Sequence, residues 1–161
     1  TSRDYRSFEL ATYLLGARLS NSIRQERSLS YAANAPFLGR ALATGGIYVS
    51  TSAPQAVLPI IRAVLDSMRT SAITAQSFDF FVRQFVTSSL VAKESNAAQA
   101  ASLAEAQIYE GDYHKASGVV SPFRDVTSYK MELAADKYMR NTQFVYLGDT
   151  ARMRGIRVNG M

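Results

Sequence analysis

The sequence predicts an α+β fold, an antiparallel sheet with helices packed on one face. Apolar residues repeat at intervals of three and four along most of the chain, which is the period of an amphipathic helix. Between residues 30 and 51 the period falls to two, with Ile47 and Val49 alternating with Tyr48 and Ser50. That alternation is typical of a strand with one buried face.

Length and composition indicate one globular domain. The chain has 161 residues, 47% of them hydrophobic and 11% aromatic, which is enough to bury a continuous core. We expect a single half-domain at residues 1–150 and a basic, mobile tail at 151–161, where no periodicity is visible. The polar start without a signal peptide is interpreted as a cut. The absence of Cys leaves the compartment open, although a bacterial source would favour the periplasm.

The first part of the chain predicts two helices. Asp4 is the expected cap of the first, and Gly16 is expected to stop it. Its apolar residues are spaced by three and four: Tyr5, Phe8, Thr12 and Leu15. A second, short helix is expected to bury Ile23 and to carry Arg24 near its end.

Two antiparallel strands are predicted next, at residues 30–35 and 45–51, with Pro36 and Gly39 separating them. Pro54 stands where a helix can begin, because its missing N–H is not needed there. Helical spacing then continues to Arg69.

The second half of the chain predicts three more helices and a last strand. Thr74 is expected to cap a helix with a Phe-rich face. An Ala-rich helix at 96–109 is expected to pack tightly against a neighbour, because small side chains allow close approach. Thr127 precedes a helix expected to end at Asn141, and residues 144–147 are predicted to form a short strand.

The net charge of +5 makes nucleic-acid binding a hypothesis to be weighed. The basic residues are scattered, with local concentrations only at 18–27 and 152–157. The sequence contains no Lys/Arg run and no ladder of aromatic and basic residues of the kind that stacks bases. We therefore expect no nucleic-acid partner. We also expect no membrane span, because no apolar run approaches about 18 residues.

Arg24 and Tyr31 are the candidate substrate-binding residues. A helix end at Arg24 and a strand start at Tyr31 would bring a guanidinium and a phenol close together. Both groups can donate hydrogen bonds to a carbonyl oxygen, the Arg through a planar fork. A purely structural interpretation also exists, since an Arg near a helix C-terminus is favoured by the helix dipole and a Tyr at a strand start often packs half-buried.

The stretch that carries this pair resembles the second, non-metal-binding half of the pitrilysin, insulinase and mitochondrial processing peptidase family of zinc peptidases. There a Leu-Gly-Gly turn leads into a Ser-Arg-Leu helix and then Leu-Arg-Glu-x-x-Gly-x-x-Tyr. The matches are Leu15-Gly16, Arg18-Leu19, Ile23-Arg24 and Leu29 with Tyr31, in the family's Arg-to-Tyr spacing. Ser28 stands in place of the family's glycine. A residue other than glycine would be strained there at a positive φ. The resemblance continues more weakly to Phe144.

The resemblance implies that Arg24 and Tyr31 hold a peptide substrate near the scissile carbonyl and can stabilise a developing oxyanion. It implies that zinc belongs to a partner half or subunit bearing His-x-x-Glu-His. That motif cannot exist here because His114 is the only histidine, so we expect no catalytic residue, metal site or cofactor in this chain. The family has a further strand before its first helix, and its absence here would expose a sheet edge to homo-oligomerisation.

Three functions follow as hypotheses. The first is the C-terminal, substrate-positioning domain of a zinc metallopeptidase, inactive alone. The second is a non-catalytic structural or assembly subunit of the same family, which the loss of glycine at Ser28 favours. The third is nucleic-acid binding, which would require affinity that falls with salt.

Overall fold

A computed structural model describes residues 4–39, 42–70, 73–118 and 123–155. Five α-helices form most of this part: α1 (Tyr5–Leu19), α2 (Pro54–Thr70), α3 (Ala75–Val91), α4 (Asn96–Glu110) and α5 (Ser128–Tyr138). The strands are short: β1 (Ala32–Asn34), β2 (Phe37–Gly39), β3 (Ala43–Gly45) and β4 (Tyr48–Ser50). A π-helix (Ser20–Gln25) and two 3₁₀ helices (Tyr113–Ser117 and Thr150–Met153) complete these elements. None of the helices in the described ranges is long and apolar enough to cross a bilayer.

The strands form two small antiparallel sheets, and α1 lies against them. β1 pairs with β4, with Ala33 opposite Val49, which confirms the two predicted strands at shorter length. β2 pairs with β3 where only a separating turn at Pro36 and Gly39 was expected. The α+β fold class is therefore confirmed.

Glycine allows α1 to approach the second sheet closely. A side chain added at Gly39 would overlap the Tyr5 hydroxyl, and one at Gly45 would come 3.0 Å from the Phe8 ring. Real Cβ atoms rarely tolerate such contacts, so a larger residue at either position would force the Tyr5 or Phe8 side chain to shift. These glycines contribute to packing and not only to the turn.

α1 differs from its prediction at both ends. It runs past Gly16 to Leu19, and Gly16 instead lies against Ala35, whose backbone N would be 3.2 Å from a Cβ there. Asp4 precedes the helix without a side-chain capping hydrogen bond. Its carboxylate accepts hydrogen bonds from Lys137 (2.8 Å) and Tyr138 (3.1 Å), so it ties α1 to α5 instead.

The core lies between α1, α2, α3 and α5. The predicted apolar face of α2 and the Phe-rich face of α3 are both buried, and Thr74 caps α3 by accepting a hydrogen bond from the Ser77 N–H (3.2 Å). Thr127 caps α5 in the same way, through the Lys130 N–H (3.2 Å). α5 ends at Tyr138, a few residues before the expected Asn141.

Among the residues that the structure describes, the Ala-rich α4 does not pack tightly against another α-helix, so that expectation is wrong. Of its residues only Ala106 is buried, and Ile108 is 72% exposed. Small side chains permit close approach but supply little apolar area to drive it. In the described ranges α4 mainly contacts the 3₁₀ helix at Tyr113–Ser117, and Gly111 ends it in the left-handed conformation (φ 73°).

The strand predicted at residues 144–147 is also wrong. No described strand pairs with this segment, and Leu147 is 98% exposed. A short run of aromatic and aliphatic residues forms a strand only when another strand supplies hydrogen bonds. The Tyr146 hydroxyl instead donates to Asp149 O (3.0 Å), just before the 3₁₀ helix at Thr150–Met153. Of the expected tail, residues 151–155 are described and 156–161 lie outside the described residues, so its mobility stays a prediction.

Glu9 gives the fold a pH dependence. Burial raises the pKa of its carboxyl, although Arg6 at 2.9 Å opposes that change. A carboxyl whose folded pKa is raised contributes stability that is present below its unfolded pKa and lost as the pH rises through the folded pKa. Glu9→Gln removes this loss. We therefore expect the free energy of unfolding of the variant minus that of the wild type to be larger at neutral pH than at acidic pH. Urea titrations at both pH values measure the difference. A relative stability that grows on acidification would contradict it.

Candidate functional site

The candidate site begins where α1 passes directly into the π-helix. Leu19 and Ile23 are fully buried and fix this segment to the core. Arg24, one residue further, is exposed because consecutive helical residues point in different directions. The predicted short helix carrying Arg24 is therefore present, as a π-helix continuous with α1.

The π-helix ends in a turn around Ser28. The Ser28 N–H donates to Arg24 O (3.0 Å) and the Leu29 N–H donates to Ile23 O (2.9 Å). Between them Ser28 adopts φ 51°, a left-handed conformation that disfavours a residue with a Cβ. Ser28, at the position where the resembling family has glycine, thus has a positive φ and adopts it with strain.

We expect Ser28→Gly to stabilise the fold by about 0.5–1 kcal/mol. The substitution removes a left-handed strain of about 1–2 kcal/mol but makes the unfolded chain more flexible by about 0.5–1 kcal/mol. Urea unfolding measures the change. Ser22→Gly is the matched control, since Ser22 lies within the π-helix without a positive φ, and the substitution there should lower stability. Equal effects of the two substitutions would show that Ser28 is not strained.

Two hydroxyls then tie the turn to the end of β4. The buried Ser30 hydroxyl donates to Ser50 O (2.6 Å) and accepts from the Ala32 N–H (3.0 Å). The Thr51 hydroxyl donates to Leu29 O (2.7 Å). The backbone on either side of Tyr31 is therefore held in place. Sequence reasoning missed both residues, because the bonds to Ser50 and Leu29 join positions that are 20 and 22 apart in the sequence.

Arg24 and Tyr31 lie side by side, as predicted. The Arg24 guanidinium carbon is 5.8 Å from the Tyr31 ring centroid, a cation–π distance. Tyr31 is 91% exposed, which excludes the half-buried packing of the structural interpretation. In the ranges that the structure describes, neither the guanidinium nor the phenol makes a hydrogen bond or ion pair. Both donors are available to a ligand.

The pair borders an open groove of about 550 Å³ between the π-helix turn and the end of β4. The lining is polar and contains hydroxyl groups on both walls. Its residues are Arg24, Gln25, Ser28, Leu29, Ser30, Tyr31, Ser50, Thr51 and Ser52. Such a lining suits an extended chain with hydrogen-bonding groups better than an apolar ligand.

The described residues do not fit a zinc ion. They contain no group of three or more His, Asp or Glu side chains close enough to hold a metal. His114 is exposed, with its ring 4.1 Å from that of Tyr113. A zinc site needs at least three protein ligands, so no step of a reaction is assigned to a metal in this chain. The expectation that zinc belongs to a partner half stays a prediction.

Comparisons with known proteins place the fold. No protein-family model and no curated protein matches the sequence. Among solved structures, the chain is similar to a peptidase M16 inactive domain from Pseudomonas fluorescens, with a TM-score of 0.68 and 21% identity over 85% of this chain and 34% of that one. It is also similar to a protease from Helicobacter pylori, with a TM-score of 0.69 and 16% identity over 86% of this chain and 35% of that one.

A third similar structure is the periplasmic protease PqqL from Escherichia coli, with a TM-score of 0.63 and 14% identity over 86% of this chain and 16% of that one. The chain spans about a third or less of the length of these proteins. At these identities the likeness establishes the fold alone, which this chain shares with the M16 inactive domain and with the two proteases. The resemblance found in the sequence is confirmed at this level, while the roles of Arg24 and Tyr31 stay predictions.

Proposed function

We propose that this chain is the substrate-positioning, non-metal-binding half of a zinc-dependent peptidase of the M16 type. It would work with a His-x-x-Glu-His half, either in the same polypeptide or in a second one. One observation carries the proposal: Arg24 and Tyr31, two exposed donors without partners in the described chain, lie together beside a polar groove. The shared fold with an M16 inactive domain supports it.

The two donors suit a carbonyl that gains negative charge. In peptide hydrolysis the carbonyl oxygen becomes an oxyanion, and donors that bind the oxyanion better than the ground-state carbonyl lower the barrier. Arg24 would donate through its planar guanidinium and Tyr31 through one O–H. Zinc, supplied by the partner half, would provide the Lewis acid and the activated water. This chain would hold and orient the peptide.

A partner half has strand edges available to it. In the described ranges each sheet has only two strands, so β1, β2, β3 and β4 each leave one edge without a neighbouring strand. Unpaired edges readily accept a further strand from another chain. We propose that the zinc-bearing half covers at least one of them. A second copy of this chain is the alternative occupant, which would produce a homo-oligomer.

Reconstitution tests the proposal. The chain is mixed with the His-x-x-Glu-His half encoded with it, and peptide hydrolysis and complex mass are measured for each half and for the mixture. We expect a one-to-one complex in which hydrolysis appears, with none from this chain alone. A zinc-bearing half that is fully active by itself, or that does not bind this chain, would overturn the proposal. A complex without hydrolysis would favour an assembly subunit.

A further inference from the structure

The C-terminal 3₁₀ helix at Thr150–Met153 brings a second guanidinium to Ser52, a residue that lines the groove. Arg152 Nη1 donates to Ser52 O at 2.6 Å, although the two residues are 100 positions apart in the sequence. Ser52 itself lines the groove that Arg24 and Tyr31 border. Arg152 therefore lies at the β4 wall, while Arg24 lies at the π-helix wall. The basic cluster at the end of the chain thus has one member that bonds a residue of the groove, although Arg152 does not itself line it.

The groove has a positive charge balance. None of its lining residues is acidic. The nearest acid in sequence, Glu26, is already bound by Asn21 (2.7 Å) and Arg27 (2.6 Å). Asp149 lies 3.9 Å from Arg152, but both side chains are more than half exposed, so water screens this pair strongly.

Hydroxyl donors complement the two guanidinium groups. Ser28, Ser50 and Ser52 line the groove, and their hydroxyls have no hydrogen-bond partner among the described residues. Guanidinium and hydroxyl groups together form the donor set that binds carboxylates well, through charge-assisted hydrogen bonds. A neutral peptide would leave the excess positive charge without a counterion.

We infer that the groove selects peptides that present a carboxylate, and that Arg152 is a specificity-determining residue beside Arg24. The carboxylate is either an Asp or Glu side chain or the free C-terminus of the peptide. This inference rests on the proposed function only for the identity of the ligand as a peptide. To the proposed function it adds Arg152 as a ligand-binding residue and a preference for negatively charged peptides.

Peptide binding to the complete chain tests the inference without the zinc-bearing half. Three short fluorescent peptides of Ala and Ser are compared by anisotropy at low salt. One is amidated with a central Glu, one is amidated with Gln in its place, and one is the Gln peptide with a free carboxyl terminus. We expect the Glu peptide, the free-terminus peptide or both to bind about threefold to tenfold more tightly than the neutral one. Which of them does so identifies the source of the carboxylate.

Substitutions at Arg152 then locate the preference. The preference is measured as the Kd of the neutral peptide divided by the Kd of the carboxylate peptide. Arg152→Gln should bring this ratio close to one. Arg152→Lys keeps the charge and should keep part of the preference. Arg69→Gln is the matched control, because Arg69 pairs with Asp66 at the same i,i+3 spacing as Arg152 with Asp149, and neither Arg69 nor Asp66 lines the groove. The control should retain the wild-type ratio, and added salt should reduce that ratio.

Equal affinity for charged and neutral peptides, or an undiminished preference in Arg152→Gln, would overturn the inference. No detectable binding of any peptide would overturn it as well. These results are independent of catalysis. If the reconstituted mixture hydrolyses peptides while the chain shows no charge preference, the proposed function stands and this inference fails. If the chain shows the charge preference and the mixture hydrolyses nothing, this inference stands and the proposed function fails.

Discussion

Arg24→Ala is expected to lower kcat of the complete, two-half enzyme by about tenfold to a thousandfold, the range seen when one donor to an oxyanion is removed. Stability should barely change, because in the described ranges the guanidinium only lies against the Tyr31 ring. Arg24→Lys should restore activity only partly, since an ammonium lacks the planar fork. Steady-state kinetics and thermal unfolding on the same preparations measure both quantities.

Arg27→Ala is the matched control for this substitution. Arg27 follows the same π-helix and carries the same charge, but it bonds Ser22 O (2.8 Å) and Glu26 and does not line the groove. It should retain turnover. Equal losses of kcat in the two variants would mean that turnover depends on the positive charge of this region and not on the hydrogen bonds that Arg24 donates. Unchanged turnover in Arg24→Ala would leave Arg24 as a helix-end charge and favour a structural or assembly role.

Ile23→Ala is expected to destabilise the fold by about 2–5 kcal/mol, the range for truncating a fully buried aliphatic side chain. Ile23 is 0% exposed and anchors the π-helix that carries Arg24. The cavity would weaken the helix–core contact and loosen the turn at Ser28, because Ile23 O also accepts the Leu29 N–H. Chemical denaturation measures the loss of stability.

Ile108→Ala on α4 is the control for the truncation, since Ile108 is 72% exposed. It removes the same atoms from a site in contact with water, and its effect should stay within about 0.5 kcal/mol. A small loss at Ile23 would contradict its place in the core. A large loss at Ile108 would show that α4 is covered in solution by a partner.

The local part of the site could be predicted from the sequence. Arg24 and Tyr31 are close in the sequence, so a helix end and a strand start separated by a short turn were enough to predict that the two side chains lie together. Ser30 and Thr51 could not be placed, because their partners lie 20 and 22 residues away. Arg152 and Ser52 are 100 positions apart in the sequence, so only tertiary packing brings them together.

The errors in the fold have a common physical cause. Gly16 was expected to end α1, but its neighbour Ala35 requires a small residue at that position and the helix continues. In the described ranges the segment at 144–147 has strand-forming residues but no strand beside it, and the small residues of α4 meet no other α-helix closely. Local patterns predict which structure a segment can form, whereas its neighbours decide whether it forms.

Tyr31→Phe in the reconstituted enzyme tests the central claim most directly. The substitution removes one oxygen that makes no hydrogen bond within the described chain, and the ring stays beside Arg24. Stability should therefore be unchanged, and any kinetic effect must come from the hydroxyl acting on the substrate. We predict that kcat falls by about tenfold or more while the melting temperature is unchanged. An unchanged kcat with intact zinc in the partner half would contradict the account.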